Sequence, residues 1–200
     1  MNGDEEVLKY LSFRQNSMSA ISRPTARSRS DVSLSIFSLL FSEVIGLASQ
    51  GGHLEEQLHA IGKTMGERCF ALFHLRDRPF RRETSPTSCL QFIATSIWRQ
   101  LFGRPSELLS TDQPNEWYLV DRGMLLNRFI SVSAEAAKEG SMVNCASLAA
   151  GIIEGMMQIA GFPNTKVEAV YTHSGSVQVV EDHMNVTFVV SLDKRSVPVG

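Results

Sequence analysis

Residues 144–163, NCASLAAGIIEGMMQIAGFP, form a complete helical signal with its own start and stop. Asn144 is a favoured N-cap type, because its side-chain oxygen can accept a free N–H of the first turn. Leu148, Ile152, Met156 and Ile159 recur at spacings of four, four and three, which places them on one helix face. Ala146, Ala149, Ala150, Gly151 and Gly155 let neighbouring backbones approach closely. Gly161 suits the left-handed position after a helix, and Pro163 forbids continuation. Two readings follow. The segment is either the core helix on which a sheet folds, or a platform that presents Cys145 as a reactive thiol in its first turn.

On either side of this helix the apolar period shortens. EWYLVD (116–121) and MLLNRFISVS (124–133) are rich in aromatic and β-branched residues, and Arg122-Gly123 between them predicts an antiparallel hairpin. Residues 134–142 are a connector. KVEAVYT (166–172), a turn at Gly175, residues 177–180 and NVTFVVSL (185–192) predict further strands. Three helices precede all of this, over about 31–48, 53–76 and 87–102. The first carries Phe37, Leu40, Phe41, Val44 and Leu47, and Leu34, Ile36 and Leu39 make its apolar surface wider than the core of one chain needs. In the second, Leu54, Leu58, Ile61, Met65, Cys69 and Leu72 follow at helical spacing. Gly62 and Gly66 lie four apart there and cost ~1 kcal/mol each relative to Ala, which calls for close helix–helix approach. The third ends at Gly103 and Pro105. Three helices, two strands, one helix and two strands (ααα-ββ-α-ββ) predict an α+β fold, with helices covering one face of an antiparallel sheet.

The chain has 200 residues, 43% hydrophobic and 20% charged, with a formal net charge of −2, so it has no global attraction to nucleic acid or anionic lipid. Cys69, Cys89 and Cys145 are odd in number and widely spaced, which implies no disulfide framework and no zinc site. The acidic N-terminus lacks a secretory pattern, and the apolar run 32–48 is interrupted by four serines and Glu43, which points to a cytosolic protein without a spanning helix. The division expected is an arm over 1–30, one domain over 31–192 and a tail over 193–200. Arg14, Arg23, Arg27 and Arg29 make the arm locally basic; it is either a solvated arm or a contact for an acidic partner or membrane surface.

Phosphate-loop, dinucleotide, nucleophile-elbow and zinc-helix motifs do not occur. The one nucleophile candidate is Cys145, since a thiol in the first turn of a helix gains thiolate character from the macrodipole. His173 or His183 would serve as base and Asp182 or Asp193 would orient it, an order similar to papain-like thiol hydrolases. The apolar, small surroundings of Cys145 favour a buried filler instead.

Five stretches carry a resemblance. RSRSDVSLSIFSLLFSE (27–43), IGKTMGER (61–68), RRET (81–84), IWRQLFG (97–103) and NCASLAAGIIEGMMQIAGFP (144–163) keep the order and spacing of the small-subunit family of the transport protein particle (TRAPP). The resemblance implies an α/β plait and a non-catalytic subunit of a tethering complex that acts as exchange factor for a Rab GTPase in endoplasmic reticulum to Golgi transport. It implies other TRAPP small subunits as partners, a Rab GTPase and peripheral membrane association through the complex, and neither cofactor nor nucleic acid. The location implied is cytoplasmic, at endoplasmic reticulum and Golgi membranes. In that family the first helices pair subunits side by side, which marks Phe37, Leu40, Val44, Leu58, Gly62 and Gly66 as interface residues. A related subunit carries a lipid-modified cysteine in the loop before its RET motif. Here residues 74–80 contain none, and residues 175–185 look inserted.

Overall fold

A computed structural model of the chain describes residues 33–77, 83–128, 143–171 and 185–193. Helix α1 spans Leu34–Ser49 and α2 spans Leu54–Asp77. Helix α3 starts as Pro86–Phe92, widens into a π-helical turn at Ile93–Ile97 and ends as Trp98–Phe102. Strands β1 (Glu107–Ser110) and β2 (Glu116–Arg122) follow, then a 3-10 turn at Leu125–Asn127. Helix α4 (Ser147–Ile159) leads into β3 (Thr165–Tyr171), and β4 is Asn185–Leu192. The four strands form one antiparallel sheet in the order β1-β2-β4-β3. The expected arm and most of the tail, the connector 134–142 and the strand at 177–180 lie outside the described residues.

The element order matches the expected ααα-ββ-α-ββ, but the first hairpin is formed by other residues. The partner of β2 is β1, with Glu107 opposite Val120 and Ser110 opposite Trp117. Met124–Arg128 do not form the expected strand: Asn127 N–H bonds Met124 O and Arg128 N–H bonds Leu125 O, and Leu126 and Asn127 are buried in this turn. Residues 129–133 lie outside the described residues. Gly123 has φ 116°, which ends β2 as expected of the residue but without a hairpin.

Alternation sets the sheet's inner face. Trp117, Leu119 and Asp121 of β2, Val186, Phe188, Val190 and Leu192 of β4, and Thr165, Val167 and Ala169 of β3 all point to the helices. Trp98 of α3 sits on this face, edge-on to Phe188 at 5.3 Å between ring centroids. Its indole N–H donates to Asp121 Oδ2 at 2.9 Å, and Arg104 forms an ion pair with Asp121 Oδ1. Asp121 is only 2% exposed, so this pairing is what allows a carboxylate there. The π turn of α3 serves the same corner. Its Ala94 carbonyl accepts from Ser106 N–H (3.0 Å) and Ser106 Oγ (3.3 Å), which fixes the approach to β1.

The closest packing is between α2 and α4. A methyl group added to Gly62 would overlap the Leu148 carbonyl oxygen, and one on Gly66 the Ile152 carbonyl oxygen. Reciprocally, Gly151 faces the His59 carbonyl and Gly155 the Lys63 carbonyl. Each step of four residues along one helix matches four along the other, so the helices run parallel with backbones nearly touching. Contacts of this kind are sites of Cα–H···O attraction. At its start α4 departs slightly from expectation. Asn144 Oδ1 accepts Ala146 N–H, Ser147 N–H bonds Asn144 O, and the regular helix opens at Ser147. At its end Gly161 (φ 109°) completes a Schellman motif, with Phe162 N–H to Met157 O and Gly161 N–H to Gln158 O.

Gly66→Ala and Gly155→Ala should each lower the melting temperature by several degrees. Overpacking costs roughly 1–3 kcal/mol, more than the ~1 kcal/mol gained from helix propensity. Gly46→Ala, where nothing lies within 4 Å, should raise it. Thermal melts of the three variants check the contrast. Arg104→Ala should cost about 2 kcal/mol, the lower part of the range for orphaning a buried charge because the guanidinium is half-exposed. A lower urea midpoint with an unchanged slope would show it.

Candidate assembly surface

Helix α1 has a single charged side chain, Glu43, in sixteen residues. Phe41 and Ala48 are buried, Phe37 and Val44 are half-buried, and the Phe37 and Phe41 rings stack at 5.9 Å. These four residues form the side turned to the rest of the chain. Ile36, Leu40 and Leu47 recur along a line about a quarter-turn away. They are 55%, 63% and 67% exposed, and Leu39 beside them 69%. Single exposed leucines are ordinary, whereas a row of them on one helix marks an interaction surface.

The six residues expected at an interface therefore divide. Leu40 is open, and Phe37 and Val44 flank it. Leu58, Gly62 and Gly66 are buried inside the chain, in the α2–α4 seam, and are not available to another subunit in this conformation. The reason is geometric. On α2 the line of closest approach runs Leu58, Gly62, Gly66, Phe70, and the glycines draw α4 onto that line. Of the apolar series on α2, Leu58 is buried and Leu54, Ile61 and Cys69 are half-buried, whereas Met65 and Leu72 turn outward. Met65 is 44% exposed, and Leu72 and Leu75 more so. The close helix–helix approach expected at Gly62 and Gly66 is present, and the exposed apolar row lies beside that line.

Cys145 lies two residues before α4 and is 2% exposed. Burial, with the Glu55 carboxylate adding to it, pushes its thiol up to about 11, so it is protonated at neutral pH. Tyr171 shares this corner: burial first, then Cys145 and Glu55, hold its phenol above the usual range, and its O–H donates to Val143 O at 2.9 Å. Asn144 saturates the remaining polar groups, taking Glu55 Oε1 on its N–H (2.7 Å) and giving its Nδ2 to Ala169 O (3.0 Å). This burial agrees with the buried-filler reading of Cys145 and gives the thiolate alternative no support. His173, His183 and Asp182 lie outside the described residues, and Asp193 closes β4 with its N–H on Asn164 O. Among the described residues no group of three or more His, Cys, Asp or Glu is placed to hold a metal ion.

A second polar cluster joins α2, α4 and β3. Glu154, 9% exposed, accepts from Lys63 Nζ (3.1 Å), Gln158 Nε2 (3.2 Å) and Val167 N–H (3.3 Å). His59 Nε2 stands 3.3 Å from Val167 O and 3.5 Å from Glu154 Oε2. A carbonyl can only accept, so His59 carries its proton on Nε2.

Comparison with known proteins agrees with this architecture. The profile of the family described as "Transport protein particle (TRAPP) component" matches residues 37–192. The chain is 34% identical to trafficking protein particle complex subunit 5 of Homo sapiens over 175 residues, 84% of this chain and 90% of that protein. It is 37% identical to the Dictyostelium discoideum subunit 5 over 149 residues, 72% of this chain and 78% of that protein. Among solved structures it is similar to a trafficking protein particle complex subunit 3 from Naegleria fowleri, covalently bound to palmitic acid, with TM-score 0.59 at 16% identity. That match covers 80% of this chain and 95% of the other, and it shows the shared fold. The chain belongs to the TRAPP component family.

Proposed function

We propose that this chain is a non-catalytic assembly subunit of the TRAPP tethering complex. In that role it supports nucleotide exchange on a Rab GTPase and vesicle transport between endoplasmic reticulum and Golgi, with exchange activity belonging to the whole complex. The observation that carries the reading is the uncovered apolar row of α1 in a chain of this family. A buried, protonated Cys145 gives no support to the hydrolase reading. Leu40, with Phe37 and Val44 at its margin, would meet a sister small subunit, and Met65, Leu72 and Leu75 of α2 are also exposed. Among the described residues no helix is long and apolar enough to cross a membrane. Membrane contact on this reading is peripheral and made by the assembled complex, in the cytoplasm.

Co-expression with sister TRAPP small subunits should yield a stable heteromer; a monodisperse monomer that ignores them would overturn the reading. Leu40→Asp and Ile36→Asp remove exposed side chains and leave the core untouched, so each should weaken the heteromer about tenfold or more. Ile159→Asp, exposed at the end of α4, is the control and should associate as wild type. Size-exclusion chromatography with quantitative titration reads both. Cys145 should resist iodoacetamide in the native chain at pH 7.5 and react on unfolding, and Cys145→Ala should still assemble. Rapid native labelling together with loss of function in Cys145→Ala would revive the thiol reading.

A further inference from the structure

The two edges of the sheet are treated differently. On β3 most of the outward backbone groups of Thr165, Val167 and Ala169 are taken by side chains of α2, of α4 and of Asn144 just before it. Val167 N–H goes to Glu154, Val167 O meets His59, Ala169 O accepts Asn144 Nδ2, and Thr165 O accepts Gln158 Nε2 at 3.5 Å. In an antiparallel ladder each residue turns its N–H and C=O to the same side, and successive residues alternate. Since Val167 turns outward, Lys166, Glu168 and Val170 bond β4. On β4, Val186, Phe188 and Val190 then bond β2, and on β2, Tyr118 and Val120 bond β1 at Leu109 and Glu107. Leu108 and Ser110 therefore point their N–H and C=O groups away from the sheet. Ser106, on the same parity, gives its N–H to Ala94 O, in agreement with this phase. No hydrogen bond to the outward groups of Leu108 or Ser110 occurs among the described residues.

We propose that the β1 edge receives an extended segment of a sister subunit as a fifth strand, hydrogen-bonded to Leu108 and Ser110. This rests on the assembly-subunit reading given above and concerns a surface distinct from α1. An open ladder edge recognises extended backbone, and the side chains beside it select among segments. On the sheet's outer face Leu109, 42% exposed, lies opposite Tyr118 and offers contact to an apolar residue of the added strand. At one end Glu107 is neutralised by Arg122 at 3.3 Å. At the other, Asp112 and Glu116 have no cation beside them among the described residues. The segment is thus a short strand with a central apolar residue and a Lys or Arg at the Asp112–Glu116 end. The side-chain bonds along β3 make this edge the more open of the two.

The test is residue-resolved hydrogen exchange on the full chain, free and in the co-expressed heteromer. Leu108 and Ser110 amides should exchange quickly in the free chain and at least a hundredfold more slowly in the heteromer. Ser110→Pro deletes a donor on the solvent side and spares the bonds to β2, so the chain should keep its melting temperature to within a few degrees. Its affinity for the heteromer partner should fall about tenfold, whereas Ser110→Ala, which keeps the N–H, should bind as wild type. A heteromer in which both amides exchange as in the free chain overturns the strand addition and leaves the assembly reading standing. Failure of any heteromer to form overturns both.

Discussion

The near contact of α2 and α4 is the constraint on which the other packing depends. Four glycines, Gly62 and Gly66 on one helix and Gly151 and Gly155 on the other, meet carbonyl oxygens of the opposite backbone. No side chain fits between the axes at these four positions, so close backbone approach constrains the register of the two parallel helices. With α2 on one side and the sheet on the other, eleven of the thirteen residues of α4 are buried. A helix so enclosed has no face to offer a ligand or partner. The exposed apolar side chains lie instead on elements at its margin, chiefly on α1.

The polar groups inside the chain follow from the same geometry. Bringing α2 against α4 places Glu55, His59 and Lys63 where they reach Asn144, Glu154 and the edge of β3. Glu154 can be buried because Lys63, Gln158 and Val167 N–H all donate to it. One cluster thereby holds two helices in register and closes a strand edge to stray pairing. Asn144 performs a related task at the other end of α4. It turns the chain into the helix, holds β3 through Ala169, and leaves Cys145 walled off from water. A first-turn cysteine becomes a nucleophile only where solvent or a cation stabilises the thiolate. Here desolvation outweighs the helix dipole, which is worth only ~0.3–1 kcal/mol at an exposed terminus.

Much of this was legible in the sequence, because apolar period and stop residues are local. Asn144, Gly161 and Pro163 bracket α4, and alternation in NVTFVVSL gives β4 over Asn185–Leu192. What was not legible depended on long-range choice. ELLS at 107–110 is too short and polar to signal a strand by itself; it becomes one because Tyr118 and Val120 present a free ladder. MLLN at 124–127 has strand composition, yet Gly123 turns it into a 3-10 turn under the core. The candidate surface was half legible. The breadth of the α1 stripe exceeds what the chain's own core covers, and Leu40 and Leu47 stand exposed. On α2 the apolar period misled, because Met65 and Leu72 lie beside the glycine line and not on it. Period measures which residues share a face, and it does not say which face has the closest neighbour.

Magnitudes decide how large the assembly surface must be. Burying a leucine or isoleucine side chain is worth ~1.5–3 kcal/mol from full exposure, and Ile36, Leu39, Leu40 and Leu47 are little more than half exposed. Together they offer on the order of 5 kcal/mol from this side of a contact. Association costs at least ~4 kcal/mol in lost translational and rotational freedom. The α1 row alone therefore supports weak pairing, even with a matching contribution from the partner. Met65, Leu72 and Leu75 of α2 are further exposed apolar side chains outside that row. On the assembly reading, a stable subunit contact thus needs apolar area beyond the α1 row.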